Sequence, residues 1–156
     1  MSRHTMVLMT AAIAALAAPG APLASETKAP AAESDAKRFQ GTWRLLSLVR
    51  DGKDVPKGQT ETMELVFLDN KYTYKGPHGE RDEGTFTVDA QQQPAVMTTT
   101  HAKAGEGGTS VVRIYRWIDA DTVRFCSPGP KDKKPPDFTA PAGSGRELSV
   151  WKRSKS

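Results

Sequence analysis

The stretch "FQGTWRLLSLVRDGKDVP", Phe39 to Pro56, decides how this chain is read. A Gly-x-Trp (Gly41, Trp43) stands at the start of an apolar run, and a turn rich in Asp, Gly and Lys follows. A large flat side chain at the start of a first strand suits a barrel whose end must be plugged. Working outward tests that idea. From Thr42 on, short runs rich in β-branched and aromatic residues alternate with turn signals, the spacing expected of an all-β sandwich or barrel. Eight strands are predicted: Thr42–Arg50, Met63–Leu68, Lys71–Lys75, Arg81–Val88, Ala95–His101, Thr109–Ile118, Thr122–Cys126 and Arg146–Arg153. Nothing between them has a helical period, and no internal repeat is present.

The connections fall into two alternating sets, and the longest all belong to the second. "DN", "DAQQQP" and "DAD" join the second to third, fourth to fifth and sixth to seventh strands. The others are "GPHGE", "AKAGEGG", 12 residues from Asp51 to Thr62 and 19 from Ser127 to Gly145. If successive strands run antiparallel, the shorter turns gather at one end and the longest loops at the other. A sandwich has no need of that division, whereas an up-and-down barrel with a closed floor and an open mouth shows it. With an even strand count the last strand ends beside the start of the first. Trp43 is therefore expected against Lys152 or Arg153, a cation on an indole worth about 0.5–2 kcal/mol.

Upstream, residues 1–24 read "MSRHTMVLMTAAIAALAAPGAPLA". A short basic start (Arg3, His4), an uncharged 13-residue run from Met6 to Ala18 and small residues after it make the layout of a secretory signal peptide. The run is too short to span a membrane. Cleavage after Ala17 or Ala24 puts a small residue before the cut and avoids a Pro after it. The expected compartment is the periplasm or the extracellular space. Residues 25–36, "SETKAPAAESDA", read as a flexible leader, and a short helical turn is expected at Lys37–Gln40. The barrel domain is then 37–156. Removing Arg3 lowers the basic count from 22 to 21 against 18 acids, so the mature charge is +3. That charge is too weak to argue for nucleic acid. The single Cys126 can form no internal disulfide, so an exported fold of this kind rests on its core.

At this point the residues resemble a known pattern. Gly41-x-Trp43 on a first strand, with a basic residue closing the last, resembles the lipocalin-like (calycin-like) barrels. A closer resemblance, across Phe39 to Arg153, is to a family of uncharacterised exported lipocalin-like domains abundant in planctomycetes. It is carried by "QGTWRLLSLVRDGKDVP", "LVFLDNKYTYKG", "EGTFTVD", "DTVRFCSPG" and "DFTAPAGSGRELSVWKR" in that order. The resemblance implies an eight-stranded antiparallel up-and-down barrel and an exported location, and it carries over no catalytic residue. "AVMTTTH" (Ala95–His101) departs from it, being more polar than the pattern expects.

Period two assigns faces along the strands. Leu65, Phe67, Phe86, Val88, Val112, Ile114, Ile118, Val123, Phe125, Leu148 and Val150 form the expected inward set, with Tyr72 and Tyr74 sharing a face. The sixth predicted strand is ambiguous, because Arg113, Tyr115 and Trp117 make a full amphipathic opposite face; that face can be the solvent side, with Arg stems covering the aromatics. The first strand is untidy: Trp43, Leu45, Ser47 and Val49 alternate against Leu46 and Leu48. Burial of this set favours a mostly filled interior with a shallow cavity near the mouth.

No constellation for catalysis stands out, and the expectation is a non-enzymatic protein. Glu80, Asp82 and Glu83 read as a charged turn, and Ser127 and Ser144 lack an elbow motif. His78 and His101 fall at the mouth beside Glu80, Asp82 and Glu106, but no metal-ligand spacing exists, so neither metal nor cofactor is expected. Cys126 reads as a small buried hydrophobe. The candidate ligand contacts are Tyr74, His78, His101, Phe125 and Phe138, the last in a Pro-rich 19-residue loop that can serve as a lid or a docking segment. Gly41, Trp43, Lys152 and Arg153 form the structural floor. Two readings fit: a barrel that binds a small apolar or amphipathic molecule at its open end, or a filled barrel that docks another exported protein.

Overall fold

The eight predicted runs become the staves of one closed antiparallel barrel in the computed structural model, which describes residues 31–102 and 108–155. The predicted signal peptide, residues 25–30 of the leader and Glu106 lie outside the described residues. In chain order the elements are α1 (Ala31–Phe39), β1 (Gly41–Arg50), β2 (Lys53–Asp54), α2 (Lys57–Thr60), β3 (Glu64–Leu68), β4 (Lys71–Lys75), β5 (Arg81–Asp89), β6 (Ala95–His101), β7 (Ser110–Asp119), β8 (Thr122–Ser127) and β9 (Glu147–Arg153). Every barrel strand pairs with its successor, and β9 returns to β1 from Trp43↔Arg153 to Arg50↔Glu147. Closure leaves the barrel no edge on which another strand could template. The two-residue β2 folds back on the end of β1. The helix α1 is longer than the expected turn at Lys37–Gln40 and begins within the segment read as leader.

Gly-x-Trp finds its reason at the floor. Gly41 has φ +110°, a region side-chain-bearing residues avoid, and a Cβ there would stand 3.6 Å from Arg153 Nη1. Trp43 is fully buried, and its Nε1–H donates to Phe39 O at 2.7 Å. Arg153 Cζ lies 4.4 Å from the centre of the Trp43 ring. The same guanidinium donates to Asp121 Oδ1 at 3.1 Å and to the carbonyls of Gln40 and Arg38. Arg153 is thus the floor cation; Lys152 pairs with Arg44 and is exposed. Phe39, delivered by α1, completes the plug. Its ring centroid is 4.6 Å from Trp117, 5.0 Å from Tyr115 and 5.5 Å from Phe67. Gln40 ties the helix to the β3–β4 turn, accepting from Asp69 N at 2.8 Å and donating to Asp69 O at 2.9 Å.

The inward set holds on β3, β5 and β8, where Leu65, Phe67, Phe86, Val88, Val123 and Phe125 face the core. It fails on β7 and β9. Tyr115, Trp117 and Trp151 join the central cluster, while Ile114, Val112 and Leu148 form a second cluster with Val96, Cys126 and Phe138 on the outer surface. Alternation sends Val150 outward with Leu148, and Ile118 is 49 % exposed. The physical reason is the Pro128–Arg146 loop. It folds over the outer face and buries apolar side chains there, so both faces of β7 and β9 are amphipathic and period alone cannot choose between them. On β1 the register shifts between Leu45 and Ser47. That one-residue bulge reverses the alternation, so Leu48 turns inward while Leu46 stays exposed.

The polar run of β6 is now accounted for. It makes full ladders with β5 and β7, its Thr99 faces the interior and its Val96 lies under the outer loop. The loop itself is clasped by Arg146, whose Nε and Nη2 donate to the two carboxylate oxygens of Asp132 at 2.6 and 3.2 Å. Phe138 is the loop's anchor, with Arg116 Cζ 4.9 Å above its ring.

Candidate ligand cavity

The lower half of the barrel is filled by the aromatic plug; the upper half encloses a cavity of about 400 Å³. Its position follows from the sequence of each stave. Large rings face inward near the floor (Phe39, Trp43, Tyr115, Trp117), whereas the inward positions nearer the mouth hold smaller or polar side chains. One wall is apolar and comes from Leu45 and Leu48 of β1, Leu65 of β3, Tyr74 of β4 and Met63 before β3. The facing wall is polar and runs round adjacent strands: Asp82 of β5, Thr99 of β6, Arg113 of β7, Ser127 of β8 and Ser149 of β9. Phe67 and Phe125 lie below, and Trp151 lies beside Tyr74 with ring centroids 6.4 Å apart in an edge contact. A cavity of this size with one apolar wall and convergent polar groups has the general make-up of small-molecule sites.

Arg113 is the most unusual group in it. Its Nε donates to Ser127 Oγ at 3.0 Å and its Nη1 to Thr99 Oγ1. Burial lowers its pKa, and the nearby Tyr72, Glu147 and Asp82 favour the charged form. Arginine nevertheless stays protonated in proteins. Its hydrogen-bond partners are neutral hydroxyls. The nearest acids are engaged elsewhere: Glu147 pairs with Arg50 at 2.6 Å, and Asp82 is held by Tyr72 and His101.

That last trio forms the polar rim. Tyr72 Oη donates to Asp82 Oδ2 at 2.9 Å, and His101 Nδ1 lies 2.9 Å from Asp82 Oδ1 and 3.1 Å from Tyr72 Oη. The hydrogen bonds are satisfied together when both Tyr72 and His101 donate to the carboxylate. Burial, reinforced by the Asp82 hydrogen bond, pushes the Tyr72 hydroxyl far above the usual tyrosine range, so it is a donor at all physiological pH. Burial likewise raises Tyr74.

The sequence candidates separate accordingly. Tyr74 and Phe125 line the cavity, and His101 reaches it through Asp82. His78 is exposed; its backbone N–H donates to Glu80 Oε2 at 2.8 Å, an interaction internal to the β4–β5 turn. Phe138 packs on the outside of the barrel and does not line the cavity, so the loop that carries it is an outer brace and not a lid. Arg113, Thr99, Ser127, Ser149 and Trp151 were absent from the candidates. The one signal for them was the alternation Arg113-Tyr115-Trp117, whose face the sequence leaves ambiguous. Cys126 is fully buried, and burial raises its thiol to about 11, which leaves it protonated and inert. Among the described residues no group of three His, Cys, Asp or Glu side chains could hold a metal ion.

Fold and cavity together define the class: a closed eight-stranded antiparallel barrel with an internal, half-polar chamber near its open end. Family models, curated proteins and solved structures give no match to the chain.

Proposed function

We propose that this protein is an exported, non-enzymatic binding protein of the lipocalin-like kind, which takes a small apolar or amphipathic molecule into the mouth-end half of its barrel. The observation that carries the reading is the cavity of about 400 Å³ between an apolar wall and a polar one. A filled barrel that acts only by docking another protein would have no use for such a space, because a void of that size forfeits packing contacts. Among the described helices none is long and apolar enough to cross a membrane. Export rests on the basic-apolar-small layout of residues 1–24.

Two measurements test this. The neutral fluorophore 1-aminoanthracene should gain emission on titration with the wild-type chain. Leu65→Trp, which fills the apolar wall, should weaken that binding by roughly tenfold or more, the equivalent of about 1.4 kcal/mol. Unchanged binding in the variant would place the probe elsewhere. For export, N-terminal sequencing of the secreted or periplasmic product should begin at Ala18 or Ser25; an intact Met1 in that fraction would refute cleavage.

A further inference from the structure

The geometry points to a small amphipathic carboxylate as the ligand of this cavity, its anionic group bound by Arg113 together with the hydroxyls of Thr99 and Ser127. This deepens the binding reading above and rests on it. Arg113 is half-buried, and a guanidinium withdrawn from water loses hydration that only an opposite charge or a full set of acceptors restores. Arg113 has only two acceptors, both neutral, and among the described residues no carboxylate lies within ion-pair distance of it. Its side chain still opens onto the cavity. The acids that feel its charge are spoken for, Asp82 by Tyr72 and His101, Glu147 by Arg50. Asp82 and Glu147 act on Arg113 only from beyond ion-pair distance, so a ligand carboxylate in the cavity would be its first direct ion-pair partner.

The rest of the chamber narrows the chemistry. A guanidinium offers parallel donors that fit a carboxylate in two-point fashion. The Glu80, Asp82 and Glu147 carboxylates around the same space repel excess negative charge, which favours a monoanion over a phosphate dianion. Leu45, Leu48 and Leu65 across the cavity provide for an apolar body opposite the anionic end. Arg44, exposed, paired with Glu64 at 2.8 Å and outside the cavity lining, is the natural control.

The test is calorimetric titration of the purified chain with decanoate and with decanamide, which share a chain and differ in charge. Wild type should prefer decanoate by about tenfold to a hundredfold, the range of a hydrogen bond to a charged group. Arg113→Gln should abolish that preference, Arg113→Lys should keep part of it, and Arg44→Gln, outside the lining, should keep it whole. Circular dichroism melts establish that each variant is folded, and the wild-type comparison stands without any variant. Decanamide binding as tightly as decanoate, a preference that survives Arg113→Gln, or a preference lost in Arg44→Gln would overturn the carboxylate assignment. So would binding of 1-aminoanthracene with no binding of decanoate, which leaves the ligand reading intact. Failure of all three probes to bind would bring down both.

Discussion

Trp43→Ala should destabilise the fold by about 3–5 kcal/mol, the range for deleting a buried large aromatic, measured by urea denaturation at equilibrium. The side chain is fully enclosed, donates a hydrogen bond to Phe39 O and carries the Arg153 guanidinium on its face. Alanine removes all three interactions and leaves the Phe39 carbonyl without its indole donor. Trp43→Phe separates them. It keeps most of the packing and loses the indole N–H, so it should cost well under half as much as Trp43→Ala. An equal loss for the two would mean that the hydrogen bond, and not the packing, holds the floor.

Phe39→Ala should cost a similar amount, about 3–5 kcal/mol, although Phe39 belongs to a helix that precedes the barrel. Its ring sits among Trp117, Tyr115, Phe67, Phe125 and Trp43, and Phe67 and Phe125 also line the cavity. The helix is further held by Tyr115 Oη donating to Asp35 Oδ2 at 2.6 Å and by Arg38 Cζ at 3.7 Å over Trp117. Because Phe39 and Trp43 touch, their double substitution should cost less than the sum of the two singles. Strict additivity in a double-mutant cycle would show that α1 docks independently of the floor. A loss under about 1 kcal/mol for Phe39→Ala would show that the plug is dispensable.

Much of the fold was legible in the chain because it rests on local rules. Turn residues and alternating apolar runs locate each barrel strand to within a residue at either end, and the three longest connections, of 7, 12 and 19 residues, all fall at the mouth. Gly41, Trp43 and Arg153 could be brought together before any coordinates, since an even number of antiparallel staves obliges the last to end where the first begins. The helix was underestimated. Its residues, Ala-rich but charged and without a helical apolar stripe of any length, acquire helical order from one buried ring, Phe39, and from the Asp35–Tyr115 contact, which are both long-range.

The site was half legible. Tyr74 and Phe125 were found because they lie on strands with one apolar face, where burial direction is unambiguous. Arg113 was missed because β7 is amphipathic on both faces: Val112 and Ile114 are as apolar as Tyr115 and Trp117. A charged side chain on such a strand is assigned to solvent by default, since isolated charges avoid interiors. Two tertiary features overrule that default. The Pro128–Arg146 loop covers the outer face, giving Val112, Ile114 and Leu148 a place to be buried, and the plug of Phe39 and Trp43 fills only the lower half of the barrel, leaving space into which a guanidinium can project. The chain alone thus specified strand count, order, closure and the floor, because these follow from period, turns and parity. Which face of β7 and β9 points inward, and hence that the barrel holds a charged chamber in place of a uniformly apolar core, depended on contacts between residues far apart in the chain. The covering loop begins at Pro128, beyond the end of β8, and the plugging ring precedes β1. No periodicity within a single strand records either of them.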